Sequence, residues 1–157
     1  MCKIAESSQF IFTSVQDERS DPRSPLNLFK KLINLRRNAP AFQTHYLTYV
    51  VITEQIFSFL RTPDVETSDD DPHTGGSANS YLVTINFSNK TSIDDYAQGL
   101  LQYQLKCVGD VGVISLSSDM DRNGLLVDLT AVELKAGEAL VIETMIMASS
   151  ESRKHLN

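Results

Sequence analysis

The sequence holds no tryptophan, only two cysteines, and no uninterrupted apolar run near the ~20 residues that a bilayer-spanning helix needs. Each lack excludes something. Cys2 and Cys107 alone give no disulfide framework and no C-x-x-C pair to grip zinc or run redox chemistry, so they read as one terminal thiol and one strand thiol. Met1 to Glu6 lacks the hydrophobic stretch of a signal peptide, which puts any membrane or secretory address outside this chain. Cations are scarce as well: 14 Lys plus Arg face 20 Asp plus Glu, for a formal net charge of −6. That balance disfavours nucleic acid and anionic membranes as partners, because both reward clustered Lys and Arg. Without Trp, a free-standing carbohydrate-binding or adhesion sandwich would have to stack sugars on tyrosines. Tyr46, Tyr49, Tyr81 and Tyr103 read instead as core or edge packing, and Tyr96 as loop packing.

Signals of catalysis are equally thin. There is no G-x-S-x-G elbow, and His45, His73 and His155 fall before a strand, in an acidic loop and in the tail, none placed as a general base. Gly75-Gly76 has no Lys-Ser and no helix after it, so no phosphate cradle forms. Asp69-Asp70-Asp71 lacks the fixed spacing and glycine turn that a hard-cation loop requires. The pairs Asp94-Asp95 and Asp119/Asp121 are the sort that arise by chance in a chain with 22% charged residues, and Asp119 to Gly124 reads as a turn. The expectation is no catalytic residue, no metal ligand and no cofactor.

What is present is a globular composition. The 157 residues, 41% of them hydrophobic, suffice for one domain with a packed core. From about Asp21 to Asn38, Leu28, Phe29, Leu32 and Leu35 recur at helical spacing, flanked by Leu26 and Ile33. Two start signals precede them, Asp21 before Pro22 and Ser24 before Pro25, and Asn38-Ala39-Pro40 ends the helix. Lys30, Lys31, Arg36 and Arg37 crowd its C-terminal half, where cations complement the helix dipole. After Pro40 the period becomes strand-like, with runs at Leu47–Ile52, Gln55–Arg61, Tyr81–Phe87, Leu101–Cys107, Val111–Ser117, Leu125–Leu129 and Leu140–Met147. Tyr81, Val83, Ile85 and Phe87 alternate with Leu82, Thr84 and Asn86, one strongly apolar face against a mixed one. The predicted fold is mainly β: an antiparallel β-sandwich preceded by one amphipathic α-helix. The expected division is an N-terminal extension over 1–20, the helix over 21–40, the sandwich over 41–148 with a disordered acidic loop at 62–80, and a tail over 149–157.

Asn86-Phe87-Ser88 and Asn89-Lys90-Thr91 both match the N-glycosylation acceptor pattern. On an extracellular chain Asn89, in a turn, is the better acceptor, whereas Asn86 faces a neighbouring strand.

Several ordered motifs carry a family likeness over roughly residues 14–143. Asp21 to Arg37 followed by Ala39-Pro40-Ala41-Phe42 resembles the final barrel helix of α-amylase/α-glucosidase superfamily proteins (glycoside hydrolase family 13-like). Gln55 to Arg61 looks like that family's "v-f-a-f-x-R" strand, Tyr81 to Ser88 like its "y-l-v-v-l-N-F-s" strand, and Val132 to Ile142 like its closing "L-x-p-x-E-a-l-v-l" strand. The resemblance implies a piece of a longer protein: the last helix of a (β/α)8 barrel plus the C-terminal sandwich. The catalytic carboxylates would lie on upstream barrel strands absent here, so the chain by itself would hydrolyse no glycosidic bond. Leu28, Phe29, Leu32 and Leu35 would pack on the missing barrel, leaving an isolated chain prone to dimerise or aggregate. Two parents fit. One is the heavy chain of a heterodimeric amino-acid transporter, partnered by a light chain at the plasma membrane; Ser14-Val15-Gln16, Ser20 to Ser24, Ile114 to Ser118 and Val127-Asp128-Leu129 look more like it. The other is a maltase-like α-glucosidase, whose pattern Leu32-Ile33-Asn34-Leu35-Arg36-Arg37 resembles closely. Either parent would place the domain outside the cell, at the plasma-membrane surface or secreted.

Overall fold

The computed structural model describes residues 14–63 and 79–148. Cys2, most of the acidic loop with Asp69 to Asp71, His73 and Gly75-Gly76, and the tail with His155 lie outside the described residues. The described residues form ten β-strands and three α-helices, in the order α1 (Val15–Ser20), α2 (Pro25–Asn38), β1 (Leu47–Ile52), β2 (Ile56–Arg61), β3 (Ser80–Asn86), β4 (Ser92–Asp94), α3 (Tyr96–Leu101), β5 (Leu105–Cys107), β6 (Val111–Ser117), β7 (Leu126–Asp128), β8 (Val132–Leu134), β9 (Ala139–Thr144) and β10 (Ile146–Ala148). The main sheet has six antiparallel strands in the order β1-β2-β3-β9-β6-β7, and the pairs β10-β5 and β4-β8 form two small ladders. Together with α3 these ladders supply the second layer, so the fold is mainly β, as predicted.

Of the two helix-start signals, Ser24 is the one that caps α2: its hydroxyl accepts from the Asn27 N–H at 3.2 Å, with Pro25 in the first turn. Asp21 instead ends α1, a single short helix opened by a capping box in which Ser14 and Asp17 bond reciprocally. Asn27 joins the two helices, its Nδ2 donating to the carbonyls of Glu18 at 3.0 Å and Asp21 at 2.7 Å.

The strand expected over Leu101–Cys107 shortens to Leu105–Cys107, because α3 runs through Leu101 and residues 102–104 turn, with Gln104 at φ 59°. Asp95 caps α3 by accepting from the Gln98 N–H at 2.8 Å. Gly99 lets α3 lie on β1, since a Cβ there would come within 2.9 Å of Val50 Cγ1. The run Leu140–Met147 likewise divides, β9 staying in the main sheet and β10 crossing to the second layer.

The core lies on the mixed face of β3. Leu60, Leu82, Ile114, Leu140 and Ile142 point inward from the sheet and meet Tyr96, Leu100, Leu129, Val132 and Leu134, all essentially inaccessible. Each such leucine or isoleucine contributes about 1.5–3 kcal/mol relative to exposure. Tyr96, expected in a loop, fills the centre, with its hydroxyl 2.6 Å from Thr84 Oγ1. Tyr46, Tyr49 and Tyr103 are exposed, so among the tyrosines only Tyr81 and Tyr96 are buried.

Candidate docking face

The other side of the main sheet carries the chain's surplus of apolar surface. Successive residues of a strand alternate between faces, so Phe57, Phe59 and Arg61 of β2 share the outer face with Tyr81, Val83 and Ile85 of β3. Tyr49 of β1 joins them opposite Phe59. The rings of Tyr49, Phe57 and Phe59 run in a row, with centroids 5.9 Å and 5.7 Å apart.

Helix α2 covers only one end of this face. Leu28 and Leu35 turn inward and, with Phe42, pack on Ala39, Ala41, Tyr81, Leu116 and Val141. Phe42 and Tyr81 stack with centroids 5.0 Å apart. No residue of α2 is fully buried, and Phe29 and Leu32 stay 60% and 41% exposed. The four-residue stripe expected to face a barrel is therefore divided, with Leu28 and Leu35 serving the chain's own sheet and Phe29 and Leu32 left open. Between helix and sheet runs a groove of about 440 Å³ floored by Leu35, Phe42, Phe59 and Val83 and edged by Arg36 and Arg61.

Arg61 fastens this end. Its guanidinium donates to the carbonyls of Ala41, Phe42 and Thr44, in the turn that follows α2. Thr44 Oγ1 adds bonds to Ala41 O at 3.1 Å and Thr62 O at 2.8 Å, and Gln43 Nε2 reaches Arg37 O at 2.8 Å. The helix is thus held at its C-terminal end by polar links and along its length by a narrow apolar seam. Lys30, Lys31, Arg36 and Arg37 make no ion pair among the described residues, which leaves a basic margin beside the open Phe29 and Leu32. Burial, then the nearby Glu143 carboxylate that accepts its hydrogen bond, push the Tyr81 phenol above its ordinary range.

The remaining polar candidates have structural duties. Asp95 is a helix cap, and Asp94 accepts from Ser92 Oγ at 2.7 Å. Asp121, in the turn after β6, takes a 2.6 Å hydrogen bond from Lys135, which holds its carboxyl below the usual range and raises the lysine. Glu138 is buried, accepting from Arg122 Nη1 at 2.9 Å and from the Lys135 N–H at 2.8 Å, and so ties the turn before β9 to the turn after β6. His45 is exposed, and no group of three His, Cys, Asp or Glu suited to a metal ion exists among the described residues.

Of the two glycosylation candidates, Asn86 is not free in the folded chain. It is 1% exposed, its Nδ2 donates to the carbonyls of Lys90 at 2.7 Å, Lys135 at 2.9 Å and Leu134 at 3.3 Å, and its Oδ1 accepts from the Ser88 N–H at 2.9 Å. Asn89 is exposed at the tip of the same turn.

The aromatic row across β1 and β2 and the Arg61 clamp were the features that sequence patterning missed. Their signal was available: Phe57, Phe59 and Arg61 alternate with Ser58 and Leu60, and the buried side is the one carrying serine.

No family profile and no curated protein matches the chain. Solved structures do. An isomaltulose synthase variant from Erwinia rhapontici, in complex with D-glucose, is similar over 84% of this chain and 20% of its own, with a TM-score of 0.58 and 17% identity. The trehalulose synthase MutB from Pseudomonas mesoacidophila is similar over 82% and 19%, with a TM-score of 0.57 and 15% identity. The isomaltulose synthase PalI from Klebsiella sp. is similar over 82% and 19%, with a TM-score of 0.54 and 19% identity. The likeness falls in the C-terminal region of these synthases. The chain spans about a fifth of their length. At such identities the likeness is one of fold alone: this chain shares its architecture with about a fifth of each of these synthases.

Proposed function

We propose that the chain is a non-catalytic docking domain, the last barrel helix plus C-terminal sandwich of a glycoside-hydrolase-like ectodomain, and that its outer face seats a (β/α)8 barrel of the same protein. The observation that carries this reading is α2 itself. A 14-residue helix with no buried residue, with Phe29 and Leu32 open and an apolar groove beside it, leaves part of its apolar surface without a partner in this chain. Its role is to shield and brace the barrel; the chemistry, where the parent has any, belongs to carboxylates on the barrel strands.

The first parent is the heavy chain of a heterodimeric amino-acid transporter, favoured by the stretches Ser20 to Ser24 and Ile114 to Ser118, with a light chain as the membrane partner and the domain on the extracellular side. The second is a maltase-like α-glucosidase. It is favoured by Leu32 to Arg37, and by similar folds occurring in proteins described as isomaltulose and trehalulose synthases.

The deciding experiment is to sequence the transcript upstream of Met1. A barrel lacking its acidic triad and preceded by one transmembrane helix supports the transporter reading, and a barrel with the triad supports the α-glucosidase. A stop codon just before Met1 sinks both. Independently, sedimentation of the isolated chain over a concentration series should show self-association, and a clean monomer at all concentrations would count against a docking face.

A further inference from the structure

We propose that Asn89 is an N-glycosylation site of the folded protein and that the adjacent Asn86 acceptor pattern is silent in it. The two patterns share one turn, between β3 and β4, and the structure treats their asparagines in opposite ways. Asn86 Nδ2, the atom that would carry a glycan, already makes three hydrogen bonds to backbone carbonyls in a place without solvent access. Those bonds fasten the turn to the strand end at Leu134 and Lys135, and the Gly137 N–H closes the fastening by donating to Ser88 O at 3.1 Å. An oligosaccharide on that nitrogen would remove at least one of the three bonds and has no volume to occupy. A chain modified there cannot complete this corner of the sandwich.

Asn89 has none of these ties. Its side chain and that of Thr91 are exposed, no hydrogen bond engages its amide among the described residues, and the turn beneath it is fixed by the Asn86 and Ser88 bonds. The tip is therefore both presented and held. The co-substrate is a lipid-diphosphate-linked oligosaccharide: Asn89 Nδ2 forms a bond to the anomeric carbon, the anomeric C–O bond to the diphosphate breaks, the lipid diphosphate leaves with the electron pair, and the amide loses one proton.

The position is also compatible with a covered outer face. The Asn86 end of β3 pairs with Ile56, whereas the groove runs over the paired residues Phe59 and Val83 and Arg61 beside Tyr81. The groove's nearest lining residue on β3 is Val83, three residues or about 10 Å from Asn86 at ~3.3 Å per residue, and neither Asn86 nor Asn89 lines it.

The test directs the full chain through the secretory pathway of a eukaryotic host behind an added signal sequence, and reads glycan occupancy in both the secreted and the total cellular pools. Treatment with peptide N-glycosidase and peptide mapping should find Asn89 modified in both pools. Asn89→Gln and Thr91→Ala should each abolish the mobility shift of the secreted chain. Ser88→Ala removes the Asn86 pattern while keeping the Asn86 amide, and should leave the shift unchanged. Absence of glycan at Asn89 in the total pool overturns the proposal even if secretion fails. Glycan at Asn86 in secreted chains, or a shift that survives Asn89→Gln there, overturns it as well. None of these readings depends on whether the barrel exists, so failure here is distinguishable from failure of the docking reading.

Discussion

The two faces of the main sheet differ in a way that composition alone would invert. The inner face carries Ser58, Thr84, Asn86, Ser117 and Thr144 among its aliphatic residues, yet all five are buried. Each is satisfied locally: Ser58 Oγ accepts from the Val51 N–H at 2.8 Å, Thr84 pairs with Tyr96, and Thr144 Oγ1 donates to Val111 O at 3.1 Å. The outer face carries Tyr49, Phe57, Phe59, Val83 and Ile85, more apolar by any scale, yet all five stay at least partly accessible. Burial here is decided by what covers a surface. The second layer of ladders and α3 covers the inner face completely, while α2 covers the outer one only at the Tyr81 end. An outer face richer in aromatics than the core it backs onto is shaped for a cover that this chain does not itself provide.

If the comparison is sound, mutations should separate the faces sharply. The largest loss is expected for Tyr96→Ala, which empties the centre of the core and strands the Thr84 hydroxyl; about 3–5 kcal/mol should appear in urea unfolding. Tyr96→Phe keeps the ring and loses only the bond, at about 1–3 kcal/mol. A matched pair sharpens the contrast. Leu82→Ala on the inner face should cost about 2–5 kcal/mol, and Phe59→Ala, one strand away on the outer face, under about half of that despite its larger side chain. Equal losses would mean that the outer face is a second core after all.

The same asymmetry has a pH signature. Burial pushes the Tyr96 phenol well above its ordinary range, because an ionised ring has no solvation in the core. The unfolded chain releases this proton near pH 10 while the folded chain keeps it, so the unfolded state binds fewer protons and stability falls as pH rises beyond that point. The slope should be about 1.4 kcal/mol per pH unit from this residue, and Tyr96→Phe should remove it in alkaline unfolding curves.

Much of this architecture was legible in the sequence, because β1 and β6 are rich in β-branched and apolar residues and match the expected runs residue for residue. What was hidden depended on contacts distant in sequence. Helix α3 is six residues long and rests on an Asp95 cap and on the close approach of Gly99 to Val50, neither of which leaves a periodic trace. Tyr96 looked like a loop residue because its partner, Thr84, stands on another strand. The candidate site was half legible for a related reason. Helical spacing identified Leu28, Phe29, Leu32 and Leu35 as one stripe, but spacing cannot say that the sheet claims Leu28 and Leu35 and leaves the others. Strand alternation already set Asn86 apart from Asn89 in its turn, but the carbonyls of Lys90, Leu134 and Lys135 that engage the Asn86 amide left no trace in the pattern.

The finest test of the comparison lies on α2, where folding and docking make opposite demands on neighbouring side chains. Phe29 and Leu32 are the more exposed pair, at 60% and 41%, so Phe29→Ser with Leu32→Ser should shift unfolding by about 1–2 kcal/mol, less than the inward pair. The same double substitution should shift the self-association of the isolated chain toward monomer in sedimentation, because it removes the two most open apolar groups beside the groove. Leu28→Ser with Leu35→Ser should do the reverse: a clear loss of stability, since both pack on the sheet, with less relief of association, since Phe29 and Leu32 remain. If all four residues behaved alike, the helix would be a single structural face, and the division between what the chain keeps for itself and what it offers a partner would have no basis.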